Sequence, residues 1–388
     1  MSKIKVLHYR TEWLGLTETW LHNQVVSLPG DIESSVICEK TANVDLFPVP
    51  GLHALDNERW YRSFWDRGLR RLGIRRHLGF LAATLGQIKP NIVHSHFGNT
   101  AWSNCAVLAR SGIPHVATFY GLDVNYLPTV APCWLDRYHE LFSKVDRVLC
   151  EGGHMATCIA ELGCPEEKVQ VHHLGVRIEG IPFVPRQWQP EEPLRVLIAA
   201  AFREKKGIPY GLEALARLKK EIPLTITIIG DANREQRSLE EKRNILAAID
   251  RCGLIENIRL LGYQPYPVLW AEAASHHLYL APSVTASDGD TEGGAPVTLI
   301  EMAASGMPIV STRHCDIPEV LPTGFLAEER DVAGLEREIR RLLEQPEDLS
   351  ERLVAARRHV EKEYNAVVQG NRLAAIYREV VGDEGRAA

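Results

Sequence analysis

The sequence predicts an α/β protein built from two Rossmann-like domains that face each other across a cleft. Apolar, strand-like runs alternate with helical patterns in both halves of the chain, which is typical of parallel sheets covered by helices. The length of 388 residues is more than one ordinary hydrophobic core organises. Between the halves lies a joint that can continue neither helix nor sheet, because it contains the closely spaced prolines Pro182, Pro185, Pro190 and Pro193.

These features place the domain boundaries. We expect a first domain over residues 1–183, a linker over 184–193 and a second domain over 194–362.

The 45% hydrophobic and 24% charged content is that of a soluble globular protein, and the net charge of −6 argues against a general nucleic-acid-binding protein. The eight cysteines are scattered without CxxC pairs, and neither a membrane span nor a secretory leader is evident, so we expect a cytoplasmic protein.

The first strand, Lys5–Tyr9, is followed by a turn with one glycine, Gly15, and then by a helix predicted from Glu18. A dinucleotide-binding fingerprint would place GxGxxG in this turn. Its absence disfavours a nicotinamide-dependent oxidoreductase. Thr17 suits the cap of the predicted helix, because its hydroxyl can accept from an unpaired backbone N–H.

A basic, aromatic segment, Arg59 to His77, combines seven arginines and one acid with interleaved aromatic side chains. As a helix it would carry an apolar stripe surrounded by arginines, formed by Tyr61, Trp65, Leu69 and Leu72. Two interpretations remain open. The segment lies on an anionic membrane surface, with aromatic rings at headgroup depth, or it packs on its own domain as a helix with a solvated basic face.

Two further strands of the first half, Pro90–Phe97 and His115–Asp123, flank a predicted helix and end in polar residues. The carboxyl ends of parallel strands meet at one edge of a sheet, where open α/β folds bind ligands. His94 and His96 would share one face of their strand, which is compatible with two zinc ligands, but no third or fourth ligand is evident. The sequence therefore predicts no metal site.

The second half opens with the strand Leu194–Ala200, and three cations follow it directly before Gly207 and a helix. These cations are Arg203, Lys205 and Lys206. At the carboxyl end of a strand these cations can bind a diphosphate. The alternative interpretation is that the two lysines are exposed to solvent and bind nothing. The alternation of strands and helices is predicted from the segments Asp146–Gly175, Tyr210–Glu221, Leu224–Ile229, Arg234–Arg251 and Ile258–Gln264.

The chain is organised around the stretch Ser287–Thr312, which lies between two apolar strands, Leu278–Ala281 and Ile309–Thr312. Glycines and Pro296 open a helix in this stretch, and Gly306 closes it, so the pattern predicts a βαβ unit. A glycine loop before a helix lets a phosphate approach backbone N–H groups. The two carboxylates beside this loop would repel a phosphate unless they face sugar or ribose hydroxyls.

The stretch TEGGAPVTLIEMAASGMPIVST, residues 291–312, resembles the signature of glycosyltransferase family 4, retaining enzymes of the GT-B fold. The resemblance implies that Glu292 meets the transferred sugar and that Glu301 meets the ribose of a nucleotide sugar. The gap between these glutamates is one residue longer than usual, which lengthens the glycine loop. That loop supplies further donor-binding residues, Gly293, Gly294 and Ala295.

The same resemblance extends to other site residues of the second half. Lys206 matches a lysine that grips the donor diphosphate. Ala201 stands where the family has an arginine, and Arg203 takes its place by proximity rather than by a match. Tyr263 matches the position whose backbone holds the base.

In the first half the chain resembles colanic-acid-type members of the family. The resemblance implies that Gly15 faces the donor and that four residues lie on the acceptor side: Thr17, Glu18, His96 and Asp123. Tyr120 stands where the family has a histidine near the reacting sugar. A phenol is a poor base at neutral pH, so we expect Tyr120 to position the donor rather than move a proton.

These residues together imply a retaining transferase that moves a sugar from a nucleotide-diphosphate sugar to a hydroxyl acceptor, a lipid-linked or surface-polysaccharide intermediate. No metal or other cofactor is expected, because fixed cations and a helix start can stabilise the leaving diphosphate. The resemblance also implies a final helix, 363–388, that crosses back to the first domain. Two alternatives stay open: a nucleotide-sugar-binding subunit of low activity, and a sugar-nucleotide epimerase of the same fold.

Overall fold

The protein divides into two compact units. The first combines the chain up to Arg177 with the residues from Tyr364 onward, and the second spans Ile178–Glu363. The computed structural model describes residues 3–15 and 18–387, so Thr17, which we expected on the acceptor side, lies outside the described residues. None of the described helices is both long and apolar enough to cross a bilayer.

The first unit contains a parallel sheet, whose described strands are β1 (Ile4–Trp13), β2 (Ile32–Thr41), β3 (Leu52–Ala54), β4 (Ile92–His96), β5 (His115–Thr118), β6 (Arg147–Cys150) and β7 (Val169–Val171). Their spatial order is β3-β2-β1-β4-β5-β6-β7. The order reverses between β1 and β4. Open α/β sheets bind ligands beyond the carboxyl ends of the strands at such a switch point.

The helices of the first unit connect these strands and cover the sheet. In chain order they are α1 (Thr19–Val26), α2 (Trp60–Arg71), α3 (Gly79–Ile88), α4 (Gly98–Ser111), α5 (Leu127–Val130), α6 (Cys133–Phe142) and α7 (Gly153–Glu161). The helix considered for the basic aromatic segment is therefore present, and it ends at Arg71.

The predicted strand His115–Asp123 is wrong in its second half. The strand ends at Thr118, and the chain turns into a π-helical segment, Leu122–Tyr126. The cause is the Asp123 carboxylate, which accepts hydrogen bonds from the N–H groups of Tyr120 and Gly98 at 3.2 and 3.1 Å. These side-chain bonds offer the backbone an alternative to the sheet.

The second unit contains a parallel sheet of its own. Its described strands are β8 (Leu194–Ala199), β9 (Leu224–Ile229), β10 (Ile258–Gly262), β11 (Leu278–Ala281), β12 (Ile309–Thr312) and β13 (Phe325–Ala327), in the spatial order β10-β9-β8-β11-β12-β13. Its helices are α8 (Ile208–Leu218), α9 (Gln236–Arg251), α10 (Tyr266–Ser275), α11 (Val297–Ser305), α12 (Ile317–Val320), α13 (Val332–Glu344) and α14 (Pro346–Glu363).

The predicted βαβ unit is present as β11, α11 and β12, with both strands at the predicted bounds and paired in parallel. Pro296 precedes the helix, which begins one residue later than predicted. Gly306 ends the helix with a φ of +80°, a left-handed conformation that favours glycine. A Cβ at this position would also lie 2.8 Å from the backbone of Val184, so the space admits glycine alone.

The last helix, α15 (Ala366–Ala387), packs in the first unit although it follows the second unit in the chain. Leu373, Ala374 and Tyr377 on this helix are fully buried against apolar side chains of the first sheet, including Val6 and Ile92. The core of the first unit therefore requires residues from both ends of the chain.

Candidate active site

Glu292 lies beyond the carboxyl end of β11, and only 5% of its side chain is exposed. One carboxylate oxygen accepts from the Ser283 hydroxyl at 2.9 Å, and the other accepts from Lys206 Nζ at 2.8 Å. Burial raises the pKa of Glu292, but the charges of Lys206 and Lys205 outweigh it and lower this pKa to about 2. Glu292 is therefore a buried anion whose charge is compensated mainly by Lys206.

Lys205 has a different position from its neighbour. Its Nζ donates to Asp290 Oδ1 at 3.0 Å and to the carbonyl of Thr291 at 2.7 Å. Asp290 also accepts from Arg237 Nη1 at 3.3 Å. Lys205 thus anchors the loop that carries Glu292, whereas Lys206 faces the carboxylate itself.

Glu301 lies on α11 and is 5% exposed. The hydroxyl of Tyr266 donates to Glu301 Oε1. Burial raises the pKa of Glu301 to about 7, even though the bond from Tyr266 lowers it. The phenol of Tyr279 is buried near both Glu292 and Glu301, whose charges add to burial in raising its pKa. Tyr279 therefore lies close enough to both glutamates for the charge of each to act on its phenol.

The glycine loop joins the two glutamates and leads into α11. Gly293 has a φ of +80°, and its N–H donates to Thr291 Oγ1 at 3.2 Å. Gly294 is buried and Ala295 is half-buried. The amino-terminal end of a helix carries partial positive charge, so the start of α11 adds to the positive field of the lysines.

Arg203 and Tyr263 lie at neighbouring strand ends of the same sheet. The Arg203 guanidinium donates to both carboxylate oxygens of Glu235, at 2.7 and 2.9 Å. Tyr263 follows β10 and is 55% exposed. Partial burial and the Asp231 carboxylate raise the pKa of Tyr263. A diphosphate would have to draw Arg203 from Glu235, so its place in a phosphate clamp stays a prediction.

In the first unit, Gly15 and Glu18 lie together beyond the carboxyl end of β1. Glu18 Oε2 accepts from the Gly15 N–H at 3.2 Å, and Glu18 Oε1 accepts from Arg10 Nη2 at 2.7 Å. The Arg10 guanidinium lies over the ring of Phe97, 4.1 Å from its centroid. The loop after β1 is thereby tied to the end of β4.

Tyr120, His96 and Asp123 form the adjoining part of this site. The Phe97 and Tyr120 rings are 4.5 Å apart, and the Tyr120 hydroxyl lies 3.0 Å from His96 Nδ1. Burial raises the pKa of Tyr120 well above its ordinary value, so the phenol keeps its proton. Burial also raises the pKa of Asp123 to about 7, although bonds from Gly98 and Tyr120 lower it.

Three buried histidines, His8, His94 and His96, bring one nitrogen each within 4.8 Å of one another. His8 escaped the sequence interpretation because it lies 88 residues from His96. His8 Nδ1 is 3.1 Å from His96 Nε2, and the two rings are inclined by only 11°. At this distance one of the two nitrogens can donate its proton to the other, so the rings can form a hydrogen-bonded pair.

The sequence interpretation missed Ser283, Asp290 and His314 in the second unit. Ser283 and His314 each lie two residues beyond a strand, β11 and β12 respectively. The detectable signal was a polar residue at or just beyond the end of a parallel strand, and His96 at the end of β4 gave a signal of the same kind. Asp290 gave no such signal, because it lies inside a loop.

Two protein-family models match the chain over most of its length. One, described as Glycosyltransferase Family 4, matches residues 18–179, and the other, described as Glycosyl transferases group 1, matches residues 193–345. The putative colanic acid biosynthesis glycosyltransferase WcaL of Escherichia coli K12 is 30% identical over 81% of this chain and 78% of its own length. The amylovoran biosynthesis glycosyltransferase AmsK of Erwinia amylovora is 32% identical over 67% of this chain and 63% of its own length.

Solved structures resemble the fold across nearly the whole chain. Anabaena HepE, in complex with UDP and glucose, superposes with a TM-score of 0.73 at 15% identity, covering 96% of this chain and 99% of HepE. Sucrose-phosphate synthase from Thermosynechococcus elongatus gives a TM-score of 0.76 at 14% identity, covering 98% and 100% of the two chains. At these identities the likeness concerns the fold alone.

Proposed function

This chain belongs to glycosyltransferase family 4 and has the GT-B fold, and from that premise we propose that it transfers a sugar from a nucleotide-diphosphate sugar to a hydroxyl acceptor, with retention at the anomeric carbon. The relatives WcaL and AmsK are named for colanic acid and amylovoran biosynthesis. Surface-polysaccharide assembly, with a lipid-linked acceptor, is therefore the process that we infer for this chain.

One observation carries the proposal: the second unit holds two buried carboxyl groups on either side of a glycine loop and a lysine beside one of them. In this proposal Glu301 accepts from ribose hydroxyls, and Glu292 accepts from hydroxyls of the sugar. HepE, which shares the fold, was solved in complex with UDP and glucose, and this supports a nucleotide sugar as the donor.

Breaking the anomeric bond leaves negative charge on a diphosphate, and fixed positive charge lowers that barrier. Lys206 and the start of α11 supply such charge in the second unit. Because Lys206 already pairs with Glu292 at 2.8 Å, an arriving diphosphate would share the ammonium with this carboxylate. Glu292 would then be released to meet the sugar hydroxyls, which couples donor binding to the arrangement of the site. No step in this scheme requires a metal ion.

We place the acceptor at the first unit's cluster of Glu18, His96 and Asp123, beside Tyr120. The buried, protonated phenol of Tyr120 can donate a hydrogen bond but cannot serve as a base at neutral pH. We propose that the acceptor hydroxyl loses its proton to a group other than Tyr120. The leaving phosphate oxygen is the acceptor of that proton in our scheme, which agrees with retention without a protein nucleophile.

We further propose that α2 lies on an anionic membrane surface, where a lipid-linked acceptor is presented. Large apolar side chains project from this helix, with Trp60, Phe64 and Trp65 exposed by 77%, 65% and 63%. Five of the segment's seven arginines form ion pairs within the first unit: Arg62–Glu58, Arg67–Asp56, Arg70–Glu39, Arg75–Asp66 and Arg76–Glu140. The described ion pairs leave out Arg59 and Arg71, so the aromatic side chains supply most of the attraction to the membrane.

A donor screen tests the proposed function. The protein is incubated with a panel of nucleotide sugars, with and without a lipid-linked acceptor, and release of nucleoside diphosphate is followed. Acceptor-dependent release supports the transferase. Conversion of the donor sugar without any acceptor would favour an epimerase, and binding without turnover would favour a non-catalytic subunit.

Calorimetric titration with the nucleoside diphosphate that binds best then tests Glu301. Glu301→Ala should weaken binding by about 1.5–3 kcal/mol, the range for hydrogen bonds to a charged group. Glu221→Ala is the control, since Glu221 pairs with Arg340 on an exposed part of the same unit. Equal affinity of Glu301→Ala and the control would remove Glu301 from the nucleotide site.

A further inference from the structure

His314 is a buried residue just beyond β12 that the proposed chemistry has not used; it is 1% exposed. Its Nε2 accepts the backbone N–H of Glu292 at 3.1 Å, and its Nδ1 lies 2.6 Å from Glu329 Oε1. A backbone N–H can only donate, so Nε2 carries a lone pair and the ring proton lies on Nδ1. His314 therefore donates to Glu329 and accepts from Glu292.

Glu329 is itself held in place. Its Oε2 accepts from the N–H of Thr285 at 2.8 Å, and Thr285 lies on the loop between β11 and Glu292. Burial raises the pKa of Glu329, but hydrogen bonds from Thr285 and His314 lower it by more, so Glu329 stays ionised. One carboxylate thus anchors the loop at Thr285 and orients the imidazole that holds the loop at Glu292.

Cys315 makes the remaining contact with this imidazole, and its Sγ lies 3.2 Å from His314 Nε2. Burial raises the pKa of the Cys315 thiol to about 12. The thiol therefore keeps its proton, and an S–H beside Nε2 is compatible with a nitrogen that accepts. The Glu292 amide and the Glu329 carboxylate therefore fix the tautomer, and the thiol is compatible with it.

We propose that His314 is a positioning residue, which fixes the backbone of Glu292 so that its carboxylate faces the transferred sugar. This inference rests on the proposed function, in which Glu292 meets that sugar. The hydrogen bond acts on the main chain, so it sets where the carboxylate stands without contacting the donor. Misplacing a group that meets the sugar affects the bond-breaking step more than nucleotide binding.

Two substitutions of His314 distinguish the role of Nε2 as an acceptor from the role of Nδ1 as a donor. His314→Gln keeps an acceptor near the position of Nε2, whereas His314→Asn keeps a donor near Nδ1 and loses that acceptor. His314→Asn should lower kcat by about tenfold or more, because it leaves the buried backbone N–H of Glu292 without an acceptor. The affinity for the nucleoside diphosphate should stay within about twofold of the wild-type value. His314→Gln should retain most of kcat. Glu221→Ala is the control and should leave kcat unchanged, because Glu221 pairs with Arg340 on an exposed part of the same unit.

Hydrogen–deuterium exchange at the Glu292 amide provides a readout that needs no substrate. The amide should exchange at least about tenfold faster in His314→Asn than in wild type, and near the wild-type rate in His314→Gln. Similar exchange and similar kcat in the two variants would overturn the proposal. So would a loss of nucleotide affinity in His314→Asn as large as its loss of kcat, because that pattern marks a general disruption of the site.

The two readouts also distinguish failure of this inference from failure of the proposed function. If the wild-type protein turns over no donor, the proposed function fails, while amide exchange still reports whether His314 holds Glu292. If the wild type is active and the Glu292 amide exchanges alike in all variants, the positioning role fails and the transferase stands.

Discussion

Glu301 combines a buried carboxyl group with a single described side-chain hydrogen bond, from Tyr266. Water would stabilise its charge in the unfolded chain, whereas burial raises its pKa to about 7 in the folded protein. The folded state therefore binds a proton at Glu301 more tightly than the unfolded state. Such a carboxyl group costs stability at neutral pH, a cost that is typical of residues retained for binding.

Glu301→Gln should make the protein more stable at high pH. The stability that comes from the tighter proton on Glu301 is fully present below its ordinary pKa, near 4.5, and is lost as the pH rises through about 7. Glutamine carries no charge, so the variant should gain up to about 3 kcal/mol over wild type at pH 8 and close to nothing at pH 4.5. Denaturant titrations at both pH values measure this difference. An equal gain at both would show that ionisation is not its cause.

Lys206→Ala should lower kcat more than it raises KM, because the ammonium matters most as negative charge develops on the leaving diphosphate. The loss should be about 10²-fold or more, as for other preorganised charges. Steady-state kinetics with a saturating acceptor measure both constants. Arg203→Ala is the comparison, since its guanidinium is held by Glu235 at 2.7 Å. Loss only in KM at Lys206 would make it a binding residue.

The two glutamates could be chosen from sequence because they lie in one short stretch with a recognisable pattern, and Lys206 could be chosen because it belongs to a run of cations that follows a strand and precedes Gly207. Ser283, Asp290 and His314 could not be chosen in this way. Their roles depend on which strand ends are neighbours and on the path of a loop. His8 shows the same limit, because its contact with His96 arises only when β1 and β4 pair in the sheet.

The helix α2 has no buried residue, although it carries several large apolar side chains. A surface helix normally buries such a stripe against its own domain. The arginines instead tie the helix to the first unit, as when Arg70 binds both oxygens of the Glu39 carboxylate. This arrangement leaves the aromatic side chains outward, which is the orientation that insertion into a lipid headgroup layer requires.

Vesicle binding tests this orientation. Replacing Trp60, Phe64 and Trp65 together with serine should abolish most sedimentation with anionic vesicles, because the inserted apolar surface is lost. Arg59→Gln with Arg71→Gln should weaken binding by about 2 kcal/mol at low salt and by less at high salt, where charges are screened.

The control for this experiment is a pair of substitutions on exposed apolar residues of the second unit, Leu239→Ser with Leu246→Ser. These changes should leave vesicle binding unaltered. If the triple serine variant sediments like wild type, α2 does not contact the membrane and the acceptor has no need to be lipid-linked.

Strands were predicted best where buried, β-branched or aliphatic runs had glycine or proline directly before or after them. β9, β11 and β12 have the predicted bounds for this reason. The extension of β5 to Asp123 was wrong because the apolar pattern continues through Phe119 and Tyr120, while a side-chain carboxylate redirects the backbone. Pattern alone does not reveal which polar side chain will compete for backbone N–H groups.

The first unit should not fold without the end of the chain, because α15 completes its core. A fragment of residues 178–363 is continuous and contains its own sheet, so we expect it to fold and to bind the nucleoside diphosphate. A fragment of residues 1–177 lacks Leu373 and Tyr377 and should expose the apolar surface that they cover. Circular dichroism and dye binding measure the two outcomes. A cooperative unfolding transition in the 1–177 fragment would contradict this view.

The discontinuous first unit also has a consequence for synthesis on the ribosome. The first 177 residues emerge early, but their partner helix is 186 residues further on, the length of Ile178–Glu363. At about 5–20 residues per second, this separation corresponds to roughly 10–40 seconds of translation. During that interval the second unit can fold completely while the nascent first sheet still exposes the surface intended for α15. Chaperones that bind exposed apolar surface should therefore associate with the nascent chain through its amino-terminal part and leave when the last helix docks.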